Sequence, residues 1–411
     1  MEPIIPAWAI LGAVLVLVAS GRVRPDLAAL SGVAVLGVLR VAPAEILFSG
    51  FSHPAVITVA AVLIVSAGIT ASGSLRGIGL ALAHRLPSVK GQILGLAAIT
   101  SGLSAFMNNV GALGVTLPAA ERMAKRAGVD PASFGMPMAQ AGILGGTMTL
   151  VGSAPNLIIS SYRLDLVGEG FGMFSFLPHG LAALVAAAIV WNLGAPSAIP
   201  SENTEEDESP PPTADSKTKF KVMAIMIAAV LGAAVGWLEP PVAFTAAALL
   251  MIVSGILPAA EAYRRMNLSV VVFLAGMISM GAVLDHVGAL EIVGEILIPL
   301  LSDLSDPVLV IAFFLASSAL SNAINNSAAA VIMGSLVVSV SRSPEITLAT
   351  DALLMSVAAG ACIALILPTH QATVLAMART PFPPPRFALS GLLLTAVSAV
   401  AAGAVIWWLW G

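Results

Sequence analysis

Two adjacent carboxamides, Asn108 and Asn109, stand inside the apolar stretch SAFMNNVGALGVTLP, Ser104 to Pro118. An unpaired amide is expensive in hydrocarbon, so the pair implies either a partner or a ligand. The pattern returns in SNAINNSAAAVIMG, where Asn325 and Asn326 hold the matching places. Behind each pair lies a helix breaker: GGTMTLVGSAPNLI (Gly145 to Ile158) with Pro155, and GACIALILPTHQATVL (Gly360 to Leu375) with Pro368. Gly permits unusual dihedrals and Pro removes a donor, so Gly152 to Asn156 and Leu367 to Thr373 should each interrupt a helix. A hairpin tip or broken helix inside a membrane frees N–H groups at one helix start and carbonyls at one helix end. The N–H groups attract anions; the carbonyls, with Asn oxygens, suit a small cation. The chemistry on offer is joint binding of an ion and an anionic group by neutral donors and acceptors.

The elements that hold these groups repeat. Ser104, Asn108 and Asn109 match Ser321, Asn325 and Asn326 at a constant shift of 217 residues. Asn156 follows Asn109 by 47 residues, and Thr373 follows Asn326 by the same distance. Apolar runs long enough to cross a bilayer lie near 4–20, 25–41, 54–73, 135–163, 174–193, 220–238, 240–258, 268–285, 349–379 and 387–410. Composition agrees: 58% of residues are hydrophobic and 10% charged, with a mean hydropathy of +0.99. A soluble domain carries about 25% charge, so this is a polytopic membrane chain without a nucleic-acid footprint. The first residues, MEPIIPAWAI, lack a basic leader region and read as a retained first span. The single cysteine, Cys362, reads as a buried inert thiol.

Charge decides how the Asn-bearing runs 90–126 and 306–342 lie. If both are re-entrant hairpins and the N-terminus is outside, the inside carries Arg22, Arg24, Arg76, Arg85, Lys90, Arg122, Lys125, Arg126, Lys217, Lys219, Lys221, Arg264, Arg265, Arg379 and Arg386. Only Arg40, Arg163 and Arg342 remain outside, which puts 15 of the 18 basic residues on one face, as the positive-inside rule asks. A single crossing at 90–126 would spoil that count. The expected fold is therefore an all-α polytopic membrane protein of about ten spans, two re-entrant helical hairpins and two broken helices. It is built as an inverted repeat: residues 1–194 with an inner hairpin at 90–126 and a broken helix at 135–163, then 220–411 with an outer hairpin at 306–342 and a broken helix at 349–379. Between them 195–219, acidic and proline-rich, reads as a disordered cytoplasmic linker, which leaves both termini outside an inner (plasma) membrane. Inverted repeats with broken helices mark secondary transporters, whose sites lie near the midplane between the repeats.

The motifs SAFMNNVGALGVTLP and GGTMTLVGSAPNLIIS, with SNAINNSAAA and LPTHQAT, resemble the divalent anion:sodium symporter family of the citrate transporter-like superfamily, across about residues 1–410. The resemblance implies a homodimer in the lipid bilayer, an elevator motion, no cofactor, and coupling of sodium ions to a small anion such as sulfate or a di- or tricarboxylate. Sodium would be held by Asn108, Asn109, Gly152 and Asn156 in one half and by Asn325, Asn326, Thr369 and Thr373 in the other. The substrate would lie near Asn109, Val110, Ser153, Pro155, Asn326, Ser327 and His370. Two positions depart from the family pattern: Val110 has no hydroxyl, and Thr373 stands where the family keeps Asn.

Alternatives follow from the same residues. Arsenite efflux and cation/proton antiport share the superfamily, although antiport usually keeps an intramembrane carboxylate. An intramembrane hydrolase would pair a Ser nucleophile with His370, but a doubled motif is hard to explain for one catalytic centre. A passive channel would move substrate only down its gradient.

Overall fold

A computed structural model of the chain describes residues 3–74, 86, 88–193, 215–343, 345–368 and 370–411. Its described elements are helical. The first half runs α1 (Ile4–Ala19), α2 (Pro25–Val38), a short α3 (Ala44–Leu47), α4 (Pro54–Ser72), the hairpin arms α5 (Val89–Ser104) and α6 (Asn109–Ala127), the broken pair α7 (Ala132–Gly145) and α8 (Ala154–Val167), and α9 (Leu177–Leu193). The second half repeats the order: α10 (Ser216–Ala234), α11 (Pro240–Val253), α12 (Ala259–Arg265), α13 (Leu268–His286), α14 (Ala289–Leu301), arms α15 (Asp306–Ala323) and α16 (Asn326–Ser341), broken pair α17 (Thr350–Cys362) and α18 (Gln371–Arg379), and α19 (Pro384–Trp410).

Both hairpins and both breaks stand where the Asn pairs and prolines put them. The 217-residue shift carries α6 onto α16 and α8 onto α18. Three features differ from expectation. First, α10 begins at Ser216, inside the stretch read as linker, because Asp215 caps it by accepting the Thr218 N–H at 3.2 Å. That stretch's residues 195–214, like Arg76, Arg85 and Thr369, lie outside the described residues. Second, α2 and α11 stop short of the spans drawn over 25–41 and 240–258. Each ends in the same left-handed cap, with Arg40 at φ 54° closing α2 and Gly255 at φ 73° closing α11. The bonds Val41 N–H to Leu36 O and Ile256 N–H to Met251 O complete the two caps at 3.0 and 3.1 Å. Third, α14 has no counterpart among the spans read from sequence.

The helices sort into two bodies. In one, α2 of the first half packs on α13 of the second, while α11 of the second packs on α4 of the first. In the other, α5 lies on α7 and α15 on α17; α8 meets α16 and α17, α18 meets α6 and α7, and α9 runs against α19. The bodies touch mainly where α4 meets α6 and α8 and where α16 meets α13 and α14.

Among the described residues, two ion pairs join the halves within the second body. Arg163, on α8, grips Asp351, on α17, through Nε at 3.0 and 3.1 Å and Nη2 at 3.1 Å. Its Nη1 donates to the carbonyls of Glu169 and Gly170, and its guanidinium lies 4.9 Å from the Phe171 ring centroid. Arg379, on α18, holds Glu121, on α6, at 2.7 and 3.1 Å. Each broken helix thus ends in an arginine clamped to the opposite repeat. Asp351→Asn is expected to cost about 1–3 kcal/mol, less than a fully buried pair because the two side chains keep 18% and 21% of their surface exposed. Melting in detergent measures the loss, and the exchange Arg163→Asp with Asp351→Arg should recover at least half of it.

Candidate functional site

At tip 1, α5 ends at Ser104 and α6 begins at Asn109. Asn108 caps α6, its Oδ1 accepting the Val110 N–H at 3.0 Å. At tip 2, Asn325 caps α16 in the same way, accepting the Ala328 N–H at 2.9 Å. The second Asn of each pair turns back to a serine one turn earlier: Ser104 Oγ lies 2.8 Å from Asn109 Oδ1, and Ser321 Oγ lies 2.9 Å from Asn326 Oδ1. The same hydroxyls also lie 2.6 Å from Gly142 O and 2.7 Å from Ala361 O. One hydroxyl proton serves one acceptor at a time, so both halves hold a surplus of oxygen lone pairs at the tip.

The breaks are held by side chains from both halves. In break 1 the Asn156 amide, fully buried, donates to Gly146 O at 3.1 Å and Thr149 O at 2.8 Å, and its Oδ1 faces Cys362 Sγ at 3.3 Å. Thr149 Oγ1 donates to Ala105 O at tip 1 and accepts the Gly152 N–H at 3.1 Å. Gly152 is required there because a Cβ would stand 2.8 Å from Gly146 O and 3.0 Å from Ala105 O. In break 2 the tip residue Asn322 accepts the N–H groups of Ile366 and Leu367, both at 2.9 Å. Asn326 Nδ2 reaches Cys362 O at 3.5 Å. Cys362 is more than an inert filler: its thiol and carbonyl join break 1 to tip 2.

Tips and breaks enclose one side of a cavity of about 450 Å³; the opposite wall comes from α1, α2, α4 and the start of α13. Among the residues singled out from sequence, Asn108, Asn109, Gly152, Ser153, Pro155, Asn325, Asn326, Ser327 and His370 line it. Asn156 and Thr373 stand behind the wall, and Thr373 Oγ1 is buried without a hydrogen-bond partner among the described residues. Val110 is not a lining residue; in the first turn of α6, its N–H is taken by Asn108. Sequence reasoning left out Ser104, Ser321, Asn322, Thr149 and Gln371. The serines carried a signal, since they match at the 217-residue shift.

Four helix N-termini, those of α6, α8, α16 and α18, meet at this cavity. Among the described residues, none of their first turns carries an acidic side chain to offset the positive end of the dipole. Capping also fixes which atoms face the cavity. Asn108 and Asn325 spend Oδ1 on the helix, which leaves their amide N–H groups unused. His370 caps α18 by accepting the Ala372 N–H on Nδ1 at 3.2 Å, so the ring proton sits on Nε2. Ser153, at the start of α8, makes no cap bond, and its hydroxyl lies against the Cys362 thiol. Three groups able to donate or accept are biased toward donating by the helices they start.

The chain was compared with known proteins. Over 177 residues it is 34% identical to the uncharacterized transporter YfbS of Escherichia coli, covering 43% of this chain and 29% of that protein. Over 142 residues it is 29% identical to sodium/sulfate cotransporter 1 of Chlamydomonas reinhardtii, covering 32% of this chain and 16% of that protein. The chain thus spans under a third of the length of these relatives. The crystal structure of the Alcanivorax borkumensis YdaH transporter superimposes with a TM-score of 0.65 over 98% of each chain at 14% identity, a likeness of fold. A family model described as citrate transporter matches residues 15–360. With its inverted repeat, paired hairpins and broken helices, the chain belongs to the citrate transporter family.

Proposed function

We propose that the chain is a sodium-coupled secondary transporter of a small anion, sulfate or a di- or tricarboxylate, working by an elevator motion. The observation that carries this reading is the meeting of four uncompensated helix N-termini, with donor-presenting caps, at one cavity. Neutral donors bind an anion strongly enough to hold it and weakly enough to release it. Asn108, Ser153, Asn325, Ser327 and His370 would contact the anion. Sodium would sit beside each tip, where Asn109 Oδ1 and Gly142 O, or Asn326 Oδ1 and Ala361 O, share a single serine proton. The unpartnered Thr373 hydroxyl supports the second of these ion sites.

The two-body packing supports the motion. The hairpins, broken helices, α9 and α19 would travel together, held by the Arg163–Asp351 and Arg379–Glu121 pairs, against a scaffold built from the other helices. If the basic residues lie inside, the cavity wall at Val18, Pro25 and Asn267 would be toward the cytoplasm and the cavity would face inward.

Uptake of labelled sulfate and succinate into proteoliposomes, with and without an inward sodium gradient, tests the reading. Accumulation above the external concentration only with the gradient is the expected result. No accumulation of either anion under any gradient overturns it, and proton movement on adding sodium would favour antiport instead.

A further inference from the structure

The cavity's polar lining is biased toward donors by the backbone itself. Asn108, Asn325 and His370 each have one acceptor atom facing a helix start, and each spends it on a backbone N–H, at 3.0, 2.9 and 3.2 Å respectively. What remains to the cavity from all three is N–H, with the second lone pair of each Asn oxygen the one acceptor they keep. None of the described lining residues is a carboxylate, so the strongest acceptor for a ligand's own proton is missing from the wall. The carboxamide oxygens of Asn109 and Asn326 face the hydroxyls of Ser104 and Ser321, and their spare lone pairs belong to the ion sites proposed above.

Oxyanions differ in this respect at neutral pH. Sulfate and selenate carry no proton and only accept hydrogen bonds. Phosphate and arsenate keep at least one proton, which needs an acceptor; without one, both the proton and a cavity donor stay unpaired. Sites that leave a polar group unpaired in this way discriminate strongly even between ligands of equal shape. Resting on the anion-transporter reading above, we propose that this cavity sorts tetrahedral oxyanions by proton content, accepting the sulfate type and rejecting the phosphate type. The capping bonds of Asn108, Asn325 and His370 are the cause. Ser153 and Ser327 carry hydroxyls, and Asn267 and Gln371 carboxamide oxygens, that can accept, so the selection is graded.

Selenate and arsenate test this, being close in size and different in protonation. The purified full chain is titrated in detergent with sodium selenate, sodium arsenate and sodium succinate at neutral pH, and binding is read from the rise in melting temperature. Selenate should bind at least about tenfold more tightly than arsenate. In Asn325→Asp one carboxylate oxygen keeps the cap while the other replaces a cavity donor with an acceptor. Selenate affinity should then fall at least about tenfold, and arsenate should lose less, so that the preference narrows or inverts. Asn108→Asp makes the same exchange at the other tip and stands in if Asn325→Asp does not fold. Equal binding of selenate and arsenate overturns the inference alone, as does unchanged selenate affinity in the folded Asp variants. Binding of succinate without selenate also overturns it, while leaving the anion reading intact. Binding of none of the three overturns both.

Discussion

Replacing Gly360 with valine should remove the folded protein almost entirely. Gly360 is where α17 crosses α15, and a Cβ there would press into the Phe314 backbone, meeting its carbonyl oxygen first and its carbonyl carbon at 2.9 Å. Gly145 makes the equivalent crossing of α7 over α5, where a Cβ would meet the Ser101 carbonyl oxygen and stand 2.5 Å from its Cα. Backbone cannot rotate aside as a side chain can, and close helix crossings in membranes depend on small residues for this reason. Overpacking a core costs about 1–3 kcal/mol and occasionally more. Two methyl groups forced against backbone belong at the upper end of that range. The readout is the monodisperse peak of a fluorescent fusion in detergent, expected to collapse for Gly360→Val and Gly145→Val. Gly114 on α6 has nothing within 4 Å of a built Cβ. Gly114→Ala should therefore fold normally and gain up to about 1 kcal/mol from helix propensity.

Asn156→Ala is the second large effect. The side chain is fully buried, and its loss leaves the carbonyls of Gly146 and Thr149 without their amide partner. An unsatisfied buried group costs about 1–3 kcal/mol, so the pair should cost about 2–4 kcal/mol after local adjustment. The effect on binding should exceed the effect on folding. Break 1 sets the start of α8, and Ser153, Ala154 and Pro155 of that start line the cavity. A weakening of anion binding by more than about tenfold corresponds to about 1.4 kcal/mol at the site. Melting curves with and without the anion separate the two losses. Asn156→Asp should do no better than alanine, since its second oxygen would face the same two carbonyl oxygens.

The parts that were legible in the sequence are those where local chemistry conflicts with its surroundings. Amide pairs and prolines inside apolar runs leave few explanations, and they placed both tips and both breaks. Hairpin edges drawn at 90–126 and 306–342 fall within a residue of Val89–Ala127 and Asp306–Ser341. Helix α14 escaped because Glu291, Glu295 and Pro299 interrupt its apolar residues and its 13 residues are too few for a span. Its exposed Ile296 and Leu300 show an apolar face that hydropathy averaging hides. The early ends of α2 and α11 depend on cap geometry, which composition does not report. Within the site, what escaped was long-range. The Cys362–Asn156 contact spans 206 residues of chain, and Asn322 reaches 44 residues along to Ile366. Val110 was placed by alignment to a family pattern, whereas the first turn of α6 fixes its backbone N–H to Asn108 and leaves it off the cavity wall.

The reciprocal packing of the first body has a consequence for synthesis. Helix α2 finds its partner in α13 and helix α4 finds its partner in α11, so each pair joins one helix made early to one made late. At about 5–20 residues per second, the interval between completing Val38 and completing His286 is on the order of tens of seconds. Through that time α2 and α4 stand in the bilayer with the faces meant for α13 and α11 covered only by lipid or by a helper protein. Neither repeat can therefore mature by itself. Half-length fragments made together in one cell should assemble, and either one made alone should be degraded.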